Sequence, residues 1–154
     1  MSGVLWEFEH SVDCGVSRPF AWAYWTNPDH WDDPPARFEF AGPFAVGTQL
    51  TTVLPGQRLQ SVIREVVDGR EALIEMEVTF AKVQFRWRFE ELGAGRTRIT
   101  QLIRLVGESV EGLVEQAKVL EQSVPQGMTK LAGDLERKWR GQPVVSDGEF
   151  DSAP

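Results

Sequence analysis

Two side chains in this 154-residue sequence are of the type that does chemistry and stand where a strand pattern turns them inward. In "VLWEFEHSVD" the residues Val4, Trp6, Phe8, His10 and Val12 share one side of a period-two alternation, with Glu7, Glu9, Ser11 and Asp13 on the other. In "GRTRITQLIRLVG" Gln101 falls among Ile99, Ile103 and Leu105. A polar group on a buried face costs free energy unless it is hydrogen-bonded. Histidine titrates near neutrality, so His10 reads as a group that hydrogen-bonds or protonates a ligand carbonyl, with Gln101 as a second donor. The competing reading is structural, each side chain bonded to a neighbour or to a buried water, and no partner constellation decides between the two. Glu65 is a third candidate. In "SVIREV" either Ser61, Ile63, Glu65 and Val67 turn inward or Val62 and Val66 do so with Arg64, and the two faces are equally apolar.

Other chemistry finds less support. His30 lies among Asp29, Asp32 and Asp33, but no second histidine is near and adjacency in sequence is not convergence in space, so no metal is expected. Cys14 is the sole cysteine, which excludes an intrachain disulfide and a cysteine-based metal site. Its expected place is a loop before the first helix, where only a depressed pKa would make it reactive. Ser17 and Ser61 lack an adjacent base and a G-x-S-x-G elbow. No glycine pattern would cradle a phosphate, and no cofactor is called for.

The elements that must position these residues are mostly strands. "RFEFAG" sets Phe38 and Phe40 inward, and "GTQLTTVLPG" and "LQSVIREVVDG" each close on a glycine turn. "REALIEMEVTF" alternates Ala72, Ile74, Met76, Val78 and Phe80 against glutamates. "KVQFRWRFEELG" does the same with Val83, Phe85, Trp87 and Phe89 against Gln84, Arg86, Arg88 and Glu90. The arginine-bearing faces match the glutamate-bearing face across a sheet. Six or seven antiparallel strands with one dry and one wet face are expected.

After Gly107 the period changes. Leu113, Ala117, Leu120, Val124, Met128, Leu131, Leu135 and Trp139 recur in steps of three and four, the stripe of a long amphipathic helix. Pro125 removes a backbone donor within it, which predicts a kink or a break, and Ser123 with Gln126 would cap a second helix there. The stripe stays in phase through the proline, which favours one kinked helix. Near the other end of the chain, Ser17 caps a short helix running to about Trp25, apolar nearly all round and so wedged between two apolar bodies. "PDHWDD" follows as a short helical turn or a tight loop. The tail 141–154 has no periodicity, which leaves residues 1–140 as a single domain.

Composition excludes some partners. The excess of 23 acidic over 16 basic residues, a net charge of −7, argues against nucleic acid and anionic membrane surfaces. No apolar run approaches the about 18 residues of a membrane span, so no membrane insertion is expected. The start "MSGVLWEFEH" lacks a signal-peptide pattern, and a cytoplasmic protein is the expectation.

The order strand, short aromatic helix, antiparallel strands and long C-terminal helix, with "FEHSVDCGVSRPFAWAYWTNPDHW", "GPFAVGTQL" and "GRTRITQLIRLVG", resembles the SRPBCC superfamily. That superfamily includes START lipid-transfer domains, birch-pollen-type allergens and polyketide cyclase/dehydrase-like proteins. The resemblance covers about residues 4 to 140 and implies an α+β helix-grip fold. In it a curved sheet wraps a long helix, with a cavity between them. It also implies that the first and last strands are neighbours, which brings His10 near Gln101. Strand positions expected to line the cavity are Trp6, Phe8, His10, Phe40, Met76, Val78, Phe85, Trp87, Phe89, Gln101 and Ile103. Val124 and Met128 join them from the long helix, and Trp31 guards the mouth.

The leading expectation is a monomer or homodimer that binds a hydrophobic small molecule such as a lipid, a quinone or a polyketide-like compound. Its rivals are a cyclase or dehydratase using His10 as acid/base and a protein-interaction module without ligand, its surface the aromatic segment or the long helix, which exposed Trp22 and Trp31 would favour.

Overall fold

A computed structural model of the chain describes residues 3–31, 35–108 and 111–141. Asp32, Asp33 and all of the expected tail except Gly141 lie outside these residues. Seven antiparallel strands form one sheet: β1 (Gly3–Cys14), β2 (Arg37–Phe40), β3 (Gln49–Leu54), β4 (Gln57–Val67), β5 (Glu71–Val78), β6 (Ala81–Gly93) and β7 (Arg96–Gly107). Their order is β1-β7-β6-β5-β4-β3-β2, so the chain's first strand leaves its hairpin neighbours and pairs with the last. In that ladder Phe8 faces Ile103, His10 faces Gln101 and Val12 faces Ile99.

The wet face carries the expected charge pairs. Arg86 reaches Glu71 at 2.9 Å and Glu65 at 3.2 Å, Arg104 reaches Glu7 at 3.2 Å, and Arg98 reaches Asp13 at 2.8 Å. A β-bulge between Ile63 and Glu65 resolves the ambiguity in "SVIREV". Before it Ser61 and Ile63 pair with Met76 and Ile74 of the dry face. After it Glu65 pairs with Leu73 on the wet face, and Val66 returns inward opposite Ala72. Neither strict alternation is realised, because the extra residue shifts the phase by one. Glu65 is therefore no cavity residue.

Helix α1 (Arg18–Trp25) starts where Ser17 Oγ accepts the Phe20 N–H at 3.3 Å. A 3₁₀ turn at Pro28–His30 follows, with the Asn27 side chain accepting the Asp29 N–H at 3.0 Å. As an all-round apolar helix requires, α1 is wedged, with Ala21, Trp22 and Trp25 buried. Trp22 meets Phe89 edge-on at 5.4 Å, and its indole N–H donates to Asp68 at 3.1 Å. Full burial of a ring such as Phe89 stabilises by about 2–3 kcal/mol. Cys14 is not in a loop. It ends β1 and is 2% exposed within the core.

The C-terminal stripe forms two helices, α2 (Leu113–Ala117) and α3 (Leu120–Trp139). The interruption falls at Lys118 and Val119, and Pro125 lies inside α3 without ending it. Ser123 and Gln126 therefore cap nothing. Pro125 is the sixth residue of α3, where the N–H it lacks would have bonded the Glu121 carbonyl, so the helix runs on with one backbone bond fewer.

Two packed clusters flank the middle of the grip. One gathers Trp6, Val83, Ile103, Leu105 and Ala117, with Phe8, Val78 and Leu113 against it, under α2. The other holds Val16, Trp22, Trp25, Phe89, Ile99 and Leu135 under α1 and the last turns of α3.

Candidate functional site

Between those clusters the sheet and α3 do not close on each other, and a cavity of about 350 Å³ remains. Its walls are mostly rings. Trp25 comes from α1, Trp31 follows the 3₁₀ turn, and Phe38, Phe85 and Trp87 come from the dry face of the sheet. The rings brace one another. Trp25 lies 4.9 Å from Trp87 and 5.6 Å from Trp31, and Trp31 stands edge-on to Phe38 at 5.4 Å. The Trp31 indole N–H donates to the Trp25 carbonyl oxygen at 2.6 Å, which fixes its plane. α3 covers this wall with Val124, Met128 and Leu131.

The sequence-derived lining separates cleanly. Trp31, Met76, Phe85, Trp87, Gln101, Val124 and Met128 border the cavity. Trp6, Phe8, Val78 and Ile103 do not; they stay inside the cluster under α2, of which only Met76, Phe85 and Val124 reach the cavity. Phe89 is screened by Trp22 and Trp25, at 5.4 and 5.3 Å, and Phe40 packs on Trp31 at 5.1 Å. His10 also stays outside the lining. It is half-buried, stacked beside Phe8 at 6.5 Å.

Several lining residues escaped the sequence reading. Ser123, Gly127, Lys130 and Asp134 recur on α3 in steps of four, three and four. They form a polar stripe beside the apolar one, and that spacing was the available signal. Leu50 and Thr52 share the inward face of β3, and Ser61, inward in one of the two alternatives for its strand, takes that place before the bulge.

Besides the hydroxyls of Thr52 and Ser123, the polar groups fall into two sets. At the rim stand His30, Tyr24, Lys130 and Asp134. His30 Nδ1–H donates to the Tyr24 carbonyl oxygen at 2.8 Å, and the two rings stack at 3.8 Å. That bond leaves Nε2 as the basic nitrogen of the neutral ring. Burial, with the Asp134 charge close by, pushes the Tyr24 phenol above its usual range. Deep in the cavity the polar groups are neutral: Gln101, 5% exposed, and Ser61, 6% exposed. Among the described residues no group of three or more His, Cys, Asp or Glu side chains is arranged to hold a metal ion. Nor is any helix long and apolar enough to cross a membrane.

No family model and no curated protein matches the chain. Solved structures do. An aromatase/cyclase, Zhui, from Streptomyces sp. R1128 superposes with a TM-score of 0.68 at 17% identity, covering 86% of this chain and 94% of that one. A point mutant of norcoclaurine synthase from Thalictrum flavum, in complex with a transition-state analogue, gives 0.67 at 14% identity over 90% and 97%. A START superfamily protein from Mycobacterium smegmatis gives 0.63 at 13% over 90% and 99%. What these proteins share with this chain is the helix-grip fold.

Proposed function

We propose that this protein binds a hydrophobic, ring-containing small molecule in the cavity between the sheet and α3. The observation that carries the reading is the open, ring-lined space of about 350 Å³. Small-molecule sites are typically concave, mostly apolar and roughly 300–1,000 Å³ in volume. Complexes of structural neighbours point the same way, since norcoclaurine synthase holds dopamine and hydroxybenzaldehyde in one of them.

Binding is favoured over turnover through His10, because that side chain does not border the space where a ligand carbonyl would lie. The interaction-module reading loses the support of the aromatic segment, since Trp22 is buried, Trp31 is half-buried and both indole N–H groups are bonded. The lone, buried Cys14 fits the expected cytoplasmic setting.

The test is titration with N-phenyl-1-naphthylamine, an uncharged apolar fluorophore. Saturable enhancement at one site per chain, with quenching of the cavity tryptophans, is expected. Absence of any saturable signal from the folded protein overturns the reading.

A further inference from the structure

Gln101 and Ser61 are each more than nine-tenths buried and border the cavity. Among the described residues neither side chain has a hydrogen-bond partner. Buried polar side chains are bonded in the large majority of cases, so two orphans on one wall require an explanation. They are far from each other. Gln101 sits on β7 opposite Trp87 of β6, whereas Ser61 sits on β4 opposite Met76, which faces Val83 of β6. The two are thus three strands apart, roughly 14 Å on a flat sheet at about 4.8 Å per strand. They are also four residues apart along β6, and the sheet's curvature shortens the straight line between them. Ile74, Met76, Phe85 and Trp87 fill the diagonal between them with apolar surface.

We infer that Gln101 and Ser61 are the two polar anchors of the cavity, and that its ligand is an elongated, flat, uncharged ring compound with an oxygen function near each end. The inference rests on the binding reading above and adds the ligand's polarity pattern. Gln101 offers two amide N–H donors and a carbonyl acceptor, and Ser61 offers one donor and two acceptor lone pairs. A hydroxyl or carbonyl satisfies either. A charged ligand end at this depth would meet no opposite charge, since the charged lining groups stand at the rim.

The experiment compares trans-stilbene, trans-4-hydroxystilbene and trans-4,4′-dihydroxystilbene by calorimetric titration, with N-phenyl-1-naphthylamine as a control. Wild type is expected to bind the dihydroxy compound on the order of ten-fold more tightly than the hydrocarbon, the equivalent of one to two net hydrogen bonds. Gln101→Met and Ser61→Ala should each remove part of that preference, and together all of it. Both should melt no lower than wild type, because each deletes an unsatisfied group. Where Gln101→Met fails to fold, Gln101→Asn withdraws the same amide by one methylene and serves in its place.

Equal affinity for the three stilbenes in wild type overturns this inference while leaving the binding reading intact. So does a lower melting temperature in the variants with the preference unchanged. Failure of every probe, the control included, removes the binding reading itself.

Discussion

His10 and Gln101 face one another in the ladder between β1 and β7, yet only Gln101 borders the cavity. Opposed residues in a sheet share a face and lie about 5 Å apart, so register alone predicts a common environment. The difference comes from what lies above them, since α3 packs on β1 and His10 lies beside Phe8 on that flank. His10→Ala should therefore cost about 1 kcal/mol of stability through lost packing. Its affinity for N-phenyl-1-naphthylamine should stay within about two-fold of wild type, a change of roughly 0.4 kcal/mol. Urea melts and probe titration check both, and a ten-fold loss of affinity with stability intact would restore His10 to the site.

Glu75 is buried on the face that is otherwise wet, its side chain 9% exposed. Desolvation pushes its carboxyl up, but hydrogen bonds from Gln84 and Arg64 and the charge of Lys82 outweigh this and hold it below the usual 4.5. A carboxylate depressed in the folded state contributes stability that is present above 4.5 and is lost as pH falls through its lower folded value. Glu75→Gln should lower stability at neutral pH by about 2 kcal/mol, in the range of a hydrogen-bonded charge. It should also flatten the fall in stability below pH 4.5. Urea midpoints measured from neutral to acid pH test this, and parallel curves for the two proteins would refute it.

Cys14 makes the opposite prediction. Burial first, then the charges of Glu136 and Asp13, push its thiol up to about 11. The nucleophile in thiol exchange is the thiolate, which at pH 8 is then roughly one molecule in a thousand. Ellman's reagent at pH 8 should label the native protein only as fast as it opens, and label it at once in denaturing urea. Prompt labelling of the native state would contradict the burial of Cys14.

What the sequence made legible follows from what local pattern records. Alternation located the strands because each has one wet face, and the aromatic helix was readable because Trp22, Trp25 and Phe20 leave it no polar side. Alternation could not find the bulge between Ile63 and Glu65, since Val62 and Val66 on one phase balance Ile63 and Val67 on the other. The break at Lys118 and Val119 carries no glycine or proline, so no local signal marked it. The division of the dry face between cavity and core was the least readable. Trp6 and Trp87 alternate in the same way, and the placement of α2 and the first turn of α3 over Trp6, whose indole N–H donates to Glu121 at 2.9 Å, makes one core and the other wall.

Two glycines of α3 turn that division into a test. Gly127 borders the cavity, and a Cβ built there meets nothing within 4 Å, so a large side chain can grow into the space without moving the backbone. Gly133 lies on the same helix away from the cavity, with only the tip of Arg137 at 3.4 Å from its would-be Cβ. Glycine inside a helix is less favourable than alanine by about 1 kcal/mol, so substitution at either site should stabilise, or at least not harm, the fold. Gly133→Ala should raise the urea midpoint and leave N-phenyl-1-naphthylamine binding unchanged. Gly127→Trp should melt no lower than wild type and bind the probe more than about ten-fold more weakly, because the indole takes the ligand's place, a change of about 1.4 kcal/mol or more. Because the blocked protein stays folded, lost binding cannot be assigned to unfolding. Wild-type affinity in Gly127→Trp would mean that the probe binds somewhere other than this cavity.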